Sequence, residues 1–267
     1  MQIPSALPYP TQFQVASYSC GPWHIAASTR IGTGHTAKGV PTDDAMIVTR
    51  CGPHILLAVA DGAGDARASR SAEGAQRAVA TAAAAAQRNW GVYGPDKQLL
   101  IEAMAAAHVD LVSRAQAERQ PADVFASTLM LVLLAGERIV AARIGDGSLY
   151  TWDGKQLTRF CSAPLPAVQT PMLVQPDWRD WVATADQERS SVMGLAMCSD
   201  GGDDFFLEDA KSGGPRQPSE TMFRSAADFT TKYGPTGLMG FVMQMLNDRE
   251  WARRTSDDRT LIMALKA

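Results

Sequence analysis

Two apolar runs in this 267-residue chain end in the same way. "LLAVADGAGDA", Leu56 to Ala66, drives a strand-like segment into Asp61 and then Gly62. "GLAMCSDGGDD", Gly194 to Asp204, does the same at Asp200 and Gly201. A carboxylate at the mouth of an apolar core is costly to leave unpaired. Basic partners are scarce nearby: the first stretch has none before Arg67, and "MCSDGGDDFFLED" has none at all. Acids so placed point to a cation. With no His or Cys at usable spacing, oxygen ligands favour Mg2+ or Mn2+ over zinc. Glycine after each Asp lets the backbone come close, so its carbonyl can serve as a ligand. If acids from distant segments converge, the result is a two-metal site of the kind that recurs in phosphatases.

Three more segments put acid at a strand end. "PTDDAMIV" places Asp43 and Asp44 before a strand, "TSDDRTLIM" places Asp257 and Asp258 before the last one, and "RIGDGSLY" places Asp146 between two. Each alone has an ordinary explanation, because Asp-Gly is the commonest hairpin turn. Asp153-Gly154 is read as only a turn, and Asp146-Gly147 is open to the same reading.

The elements that must carry these acids are short. Strands are expected at Trp23–Ile31, followed by a Gly-rich turn, and at Ala45–Arg50 and His54–Ala60, joined by a Cys-Gly-Pro turn. An Ala-rich helix is expected over about 67–88. A second begins after Gly94-Pro95-Asp96 and runs to about Arg119. A meander of strands follows, with turns at Ala135-Gly136, Asp146-Gly147 and Asp153-Gly154. Residues 161 to about 189 read as an irregular, exposed flap, with Trp178 and Trp181 as either its cover or a partner surface. A buried strand at Ser190–Ser199, a helix at Thr236–Arg253 and a last strand at Arg259–Leu265 complete the chain. Residues 1–20 read as a loose leader, and 21–267 as one domain. Clustered helices and successive hairpins imply antiparallel sheets in an α+β fold.

Composition narrows the partners. A formal net charge of −3 lacks the basic surplus of a nucleic-acid binder. No apolar run is long enough to span a bilayer, and no signal peptide is read at the N-terminus. Cys20, Cys51, Cys161 and Cys198 show no metal or CxxC spacing, and read as buried thiols of a cytoplasmic protein. "GTGHTAKG" lacks the G-x-x-x-x-G-K-[ST] order of a nucleotide loop. No GxSxG motif or Cys/His set supports acyl chemistry.

In their order, "PTDDA", "ADGAG", "IGDGS", "SDGGDD" and "DDRTL" resemble the motifs of the metal-dependent protein phosphatases of type 2C. The resemblance covers about Trp23 to Leu265. "GTGHTAKGVPTDDA" is most similar to a bacterial branch with a His and a Gly-Pro approach to the acid pair. The resemblance implies a four-layer αββα sandwich, two antiparallel sheets flanked by helices. It implies a protein serine/threonine phosphatase in which water bridging two Mn2+ or Mg2+ ions attacks phosphorus, with no covalent enzyme intermediate. Asp61 would bridge the metals and Gly62 would give its carbonyl. Asp200 and Asp257 would complete the first site, and Asp43 or Asp44 would hold the second. Asp146 and Asp204 would form a weaker third site.

Two positions depart from the family's pattern. Gly39 stands where an Arg usually grips the substrate phosphate, so Lys38, His35 or Arg30 would have to replace it; a lysine lacks the bidentate fork. Ala63 stands where many eukaryotic members carry a His. His35 has two readings, a hydrogen-bonded loop anchor or a phosphate contact. The expected partner is a phosphoprotein, with a Ser/Thr kinase or that kinase's target as the guess. The alternatives are a phosphatase-fold binding module with little turnover, suggested by the missing Arg, and a two-metal hydrolase of nucleotides or small phosphoesters.

Overall fold

A computed structural model describes residues 13–65, 67–162, 169–209 and 216–266. Two compact units interleave along the chain. Among the described residues, the first draws on 41–65, 67–147, 161–162 and 169–189, the second on 13–40, 148–160, 190–209 and 216–266.

The first unit is built on a five-stranded antiparallel sheet. In spatial order its strands are β3 (Asp44–Cys51), β4 (His54–Asp61), β5 (Leu129–Ala135), β6 (Arg138–Ile144) and β9 (Ala183–Glu188). Two long helices cover it, α2 (Ser71–Tyr93) and α3 (Lys97–Ala117). Alanine is the best helix former and the smallest side chain that still buries apolar surface. In α2, Ala75, Ala78, Ala82, Ala85 and Ala86 form the buried face. Gly94 ends α2 at φ +59°, and the Asp96 side chain caps α3 by accepting from the Gln98 N–H. All of Ile55–Ala60 is buried, as an unbroken apolar run requires.

The second unit holds a six-stranded antiparallel sheet: β1 (Phe13–Cys20), β2 (Trp23–Arg30), β13 (Arg259–Lys266), β10 (Gly194–Cys198), β7 (Ser148–Trp152) and β8 (Leu157–Arg159). Its helices are α1 (Thr33–Lys38), α4 (Thr221–Tyr233), α5 (Pro235–Asn247) and α6 (Arg249–Arg254). Phe206, Phe223, Leu238 and Val242 pack with Leu261, Met263 and Leu265 of β13 as its core. A two-residue ribbon pairs β11 (Leu207–Glu208) with β12 (Gln217–Pro218).

Two antiparallel sheets with helices match the expected class, and several local expectations are corrected. Residues 13–20 of the supposed leader are strand β1, paired along its length with β2; residues 1–12 lie outside the described part. The Gly-rich turn after β2 is helix α1, closed by Gly39 in the left-handed region. The expected C-terminal helix is two, broken at Asp248, whose side chain caps α6, and α4 precedes them. Asp146-Gly147 is no hairpin: β6 belongs to one sheet and β7 to the other. Nor is the 161–189 segment wholly irregular or exposed. Its end is strand β9 on β6, while Leu173, Val174 and Trp178 are buried in the first unit's core. Trp178 stacks on His108, whose Nδ1 donates to the Leu173 carbonyl at 2.7 Å.

Candidate metal centre

In the first unit, β3 and β4 are antiparallel neighbours with Asp44 opposite Asp61. Opposed residues hold their Cβ atoms about 5 Å apart, and like charges there repel unless positive charge joins them. Asp44 is 3% exposed, which raises the cost of its charge. The backbone around Asp61 is fastened on both sides. The Asp61 N–H donates to Thr128 Oγ1 at 3.0 Å, and its carbonyl accepts from the Thr128 N–H at 2.8 Å. Gly62 donates to the Asp43 carbonyl at 3.1 Å, and Ala63 to that of Ala126 at 3.0 Å. Ser71, the first residue of α2, donates its hydroxyl to Asp43 Oδ2 at 2.8 Å.

Gly62 is required by close approach. A Cβ there would lie 2.7 Å from Ser71 Cβ and 2.9 Å from the Ser71 carbonyl oxygen. The start of α2 therefore rests directly on the loop.

Asp146 sits in a turn braced from beneath. Buried Arg143 donates to the carbonyls of Gly145 at 3.0 Å and Gly147 at 2.6 Å. Gly145 has φ +106°, and a Cβ on it would strike Thr128 Cγ2 at 2.4 Å. Thr128 thus touches both the Asp61 strand end and the Asp146 turn. Thr170 donates its hydroxyl to Asp146 Oδ2 at 2.6 Å.

In the second unit, β10 leads into a tight 3-10 turn, Asp200–Phe206. Asp200 and Asp257 are both exposed. Gly201 joins their segments, since a Cβ on it would meet the Asp258 carbonyl oxygen at 2.1 Å and Asp257 Cβ at 3.4 Å. The Thr260 N–H donates to Ser199 Oγ at 3.1 Å and the Ser199 N–H to the Thr260 carbonyl at 3.2 Å, locking the two strand ends. Asp258, 1% exposed, accepts from the Gly32 N–H at 2.6 Å and from His35 Nδ1 at 2.8 Å. His35 is thereby the loop anchor of one of its two readings. Lys38 is exposed at the end of α1.

Gly39 has φ +67°, a left-handed conformation in which a side chain is strained, although a Cβ there would meet nothing within 4 Å. Asp204 pairs with Arg216, which also donates to the Leu207 carbonyl. Asp203 accepts from Tyr150 OH at 2.5 Å and from Arg159 at 2.7 Å. Burial and the neighbouring Asp203 carboxylate push the Tyr150 hydroxyl well above its usual range.

The expected site residues therefore fall into groups. Asp43, Asp44, Asp61 and Gly62 come together at one end of the β3–β4 pair, and Asp200 comes together with Asp257 through Gly201. Asp146 and Asp204 each have a partner in their own unit. Among the described residues, no three His, Cys, Asp or Glu side chains form a group able to hold a metal ion. Sequence reasoning missed Ser71, Thr128 and Arg143 as supports, and Asp258 as the group that orients His35. Only the second Asp of "DDR" carried any signal for the last of these.

The protein phosphatase 2C family model matches residues 31–249. The chain belongs to that family. Solved structures share its fold. The Mycobacterium tuberculosis serine/threonine phosphatase PstP/Ppp is 19% identical, with 91% of this chain and 98% of that one covered at a TM-score of 0.64. The PstP catalytic domain, solved in complex with two manganese ions, is 18% identical, with 91% and 97% covered at 0.61. Staphylococcus aureus Stp1, a serine/threonine phosphatase, is 12% identical over the full length of both chains at 0.55. No curated protein sequence matches the chain. By family, then, it is a protein phosphatase of the 2C type. Among the described residues, no helix is long and apolar enough to cross a membrane.

Proposed function

We propose that the chain hydrolyses phosphoserine and phosphothreonine in proteins with Mn2+ or Mg2+. The observation that carries this reading is the opposition of Asp44 and Asp61 beside a glycine cradle. It is an oxygen-only donor set, which suits a hard divalent cation. On this reading Asp61, Gly62 and Asp43 or Asp44 are ligands, and so are Asp200 and Asp257. Bound divalent ions supply an activated water and offset charge on the phosphoryl group.

The remaining tasks fall to the chain's own side chains. Ser71 and Thr128 hold the Asp43 and Asp61 segments in place. Asp258 fixes the His35 ring, which with Lys38 is offered to the substrate phosphate where the family's arginine is missing. Asp146 and Asp204 are assigned to a weaker third ion, which would compete with Thr170 and Arg216 for them. The substrates are phosphoproteins in the cytoplasm, with a Ser/Thr kinase or its target the first to try.

One observation favours a second reading, a binding module with little turnover: the left-handed Gly39 at the arginine's place. Hydrolysis of a phosphothreonine peptide with Mn2+, abolished by EDTA, supports the phosphatase. Metal binding and phosphopeptide binding without turnover would support the module.

A further inference from the structure

The first unit contains a cavity of about 220 Å³ that no proposed ligand occupies. Its lining includes Ala63, one residue beyond Gly62, and Asp123. Ala126 and Met172 supply apolar wall, and Gln169 and Gln175 neutral polar wall. Asp123 stands on a short 3-10 turn, Ala122–Phe125, that is firmly held. The Arg70 N–H donates to the Val124 carbonyl at 3.0 Å, and the Ala126 N–H to that of Asp123 at 3.1 Å. Phe125 is fully buried under the Arg70 guanidinium.

The charge balance of the cavity is simple. Asp65 and Arg67 line it as a pair, with the Arg67 guanidinium donating to Asp65 Oδ2 at 2.8 Å and its N–H to Oδ1 at 2.8 Å. Arg67 holds the Asp65 carboxyl down at about 2, so the pair stays ionised and cancels at neutral pH. Among the described lining residues the exposed Asp123 adds a second carboxylate, which Arg67 also feels, so the lining carries a net charge of −1. Apolar wall with a net negative charge suits a side chain with an aliphatic stem and a cationic head.

We propose that this cavity receives a lysine or arginine next to the phosphorylated residue, making Asp123 a specificity determinant of the substrate peptide. The inference rests on the phosphatase reading and names its substrate class. Asp123 is exposed, so the preference is modest, up to about fivefold, as for a solvent-screened ion pair.

The test compares kcat/KM of the Mn2+-loaded full chain on phosphothreonine peptides that differ only in Arg, Ala or Glu at each flanking position. The wild type is expected to favour Arg over Ala at one position by about three- to fivefold. Asp123→Ala brings that ratio near one, and Asp123→Lys moves the preference to Glu. Each ratio is internal to one variant, so a partly misfolded preparation does not distort it. A wild-type ratio near one at every position, or a preference for Arg that survives in both variants, overturns the proposal. A wild-type preference for Glu that disappears in Arg67→Ala also overturns it, by showing that Arg67 takes an acid. Turnover of p-nitrophenyl phosphate separates the two readings. Where it is present, a flat ratio defeats the subsite alone. Where it is absent, the phosphatase reading fails and the subsite with it.

Discussion

Alanine at position 201 is expected to damage both stability and activity. A Cβ on Gly201 would sit 2.1 Å from the Asp258 carbonyl oxygen. That oxygen belongs to backbone and cannot swing aside like the end of a side chain. Its segment is also fastened, because the Asp258 carboxylate holds Gly32 and His35 while Thr260 and Ser199 exchange hydrogen bonds. The contact must therefore open by roughly 1 Å, and overpacking of this kind costs about 1–3 kcal/mol. For a chain of this size that is a fall in Tm of roughly 2–10 °C. A displacement of about 1 Å at a reacting centre also costs on the order of a hundredfold in rate. Gly240→Ala is the matched control, because a Cβ at Gly240 meets nothing within 4 Å. Thermal melts and phosphopeptide hydrolysis of the two variants read both effects. Gly201→Ala with wild-type Tm and wild-type rate would refute the argument that Gly201 is there to let Asp200 and Asp257 approach.

Removing the Asp258 carboxylate with Asp258→Ala leaves the Gly32 N–H and His35 Nδ1 without this acceptor. A loss of about 1–3 kcal/mol in urea unfolding is expected, and an unchanged midpoint would count against the anchoring role. Burial pushes the Cys51 and Cys161 thiols up to about 11, and Cys198 is fully buried. Iodoacetamide at pH 8 should therefore label half-buried Cys20 first in the folded protein, and mass spectrometry showing Cys51 or Cys161 modified first would contradict the packing. The Asp65 carboxyl is depressed by Arg67, so what the pair contributes is present above the ordinary carboxylate range and lost as pH falls through about 2. Its NMR titration midpoint should rise toward 3.8 in Arg67→Ala, and a midpoint already near 3.8 in the wild type would remove the pairing.

The strand ends were legible in the sequence because burial and chemistry conflict there. An apolar run such as "LLAVA" can stop in Asp only at a sheet's end, so Asp61 and Asp200 marked strand termini correctly. The motif "PTDDA" also implied that Asp43 and Asp44 stand at the start of a strand, though the register that sets Asp44 against Asp61 is a property of the pairing. Helix α1 was hidden because "TGHTAK" carries a Gly and two Thr, all poor helix formers. Strand β9, "ATADQE", was hidden because an edge strand needs only one paired side and no apolar pattern. The Asp146 turn misled because Asp-Gly reads locally as a hairpin, whereas Gly145 at φ +106° packed on Thr128 sends the chain to another sheet. The Asp258–His35 bond joins residues 223 apart, beyond the reach of any local signal.

The account's central claim is that Asp61 is needed for a divalent cation that is needed for phosphate removal. Its most direct test is calorimetric titration of Mn2+ into the EDTA-stripped wild type and Asp61→Ala, with phosphothreonine-peptide hydrolysis measured on the same samples. The account predicts tight Mn2+ binding and Mn2+-dependent turnover in the wild type, and loss of both in an Asp61→Ala variant that keeps its circular dichroism. Wild-type Mn2+ affinity or wild-type turnover in folded Asp61→Ala would contradict it.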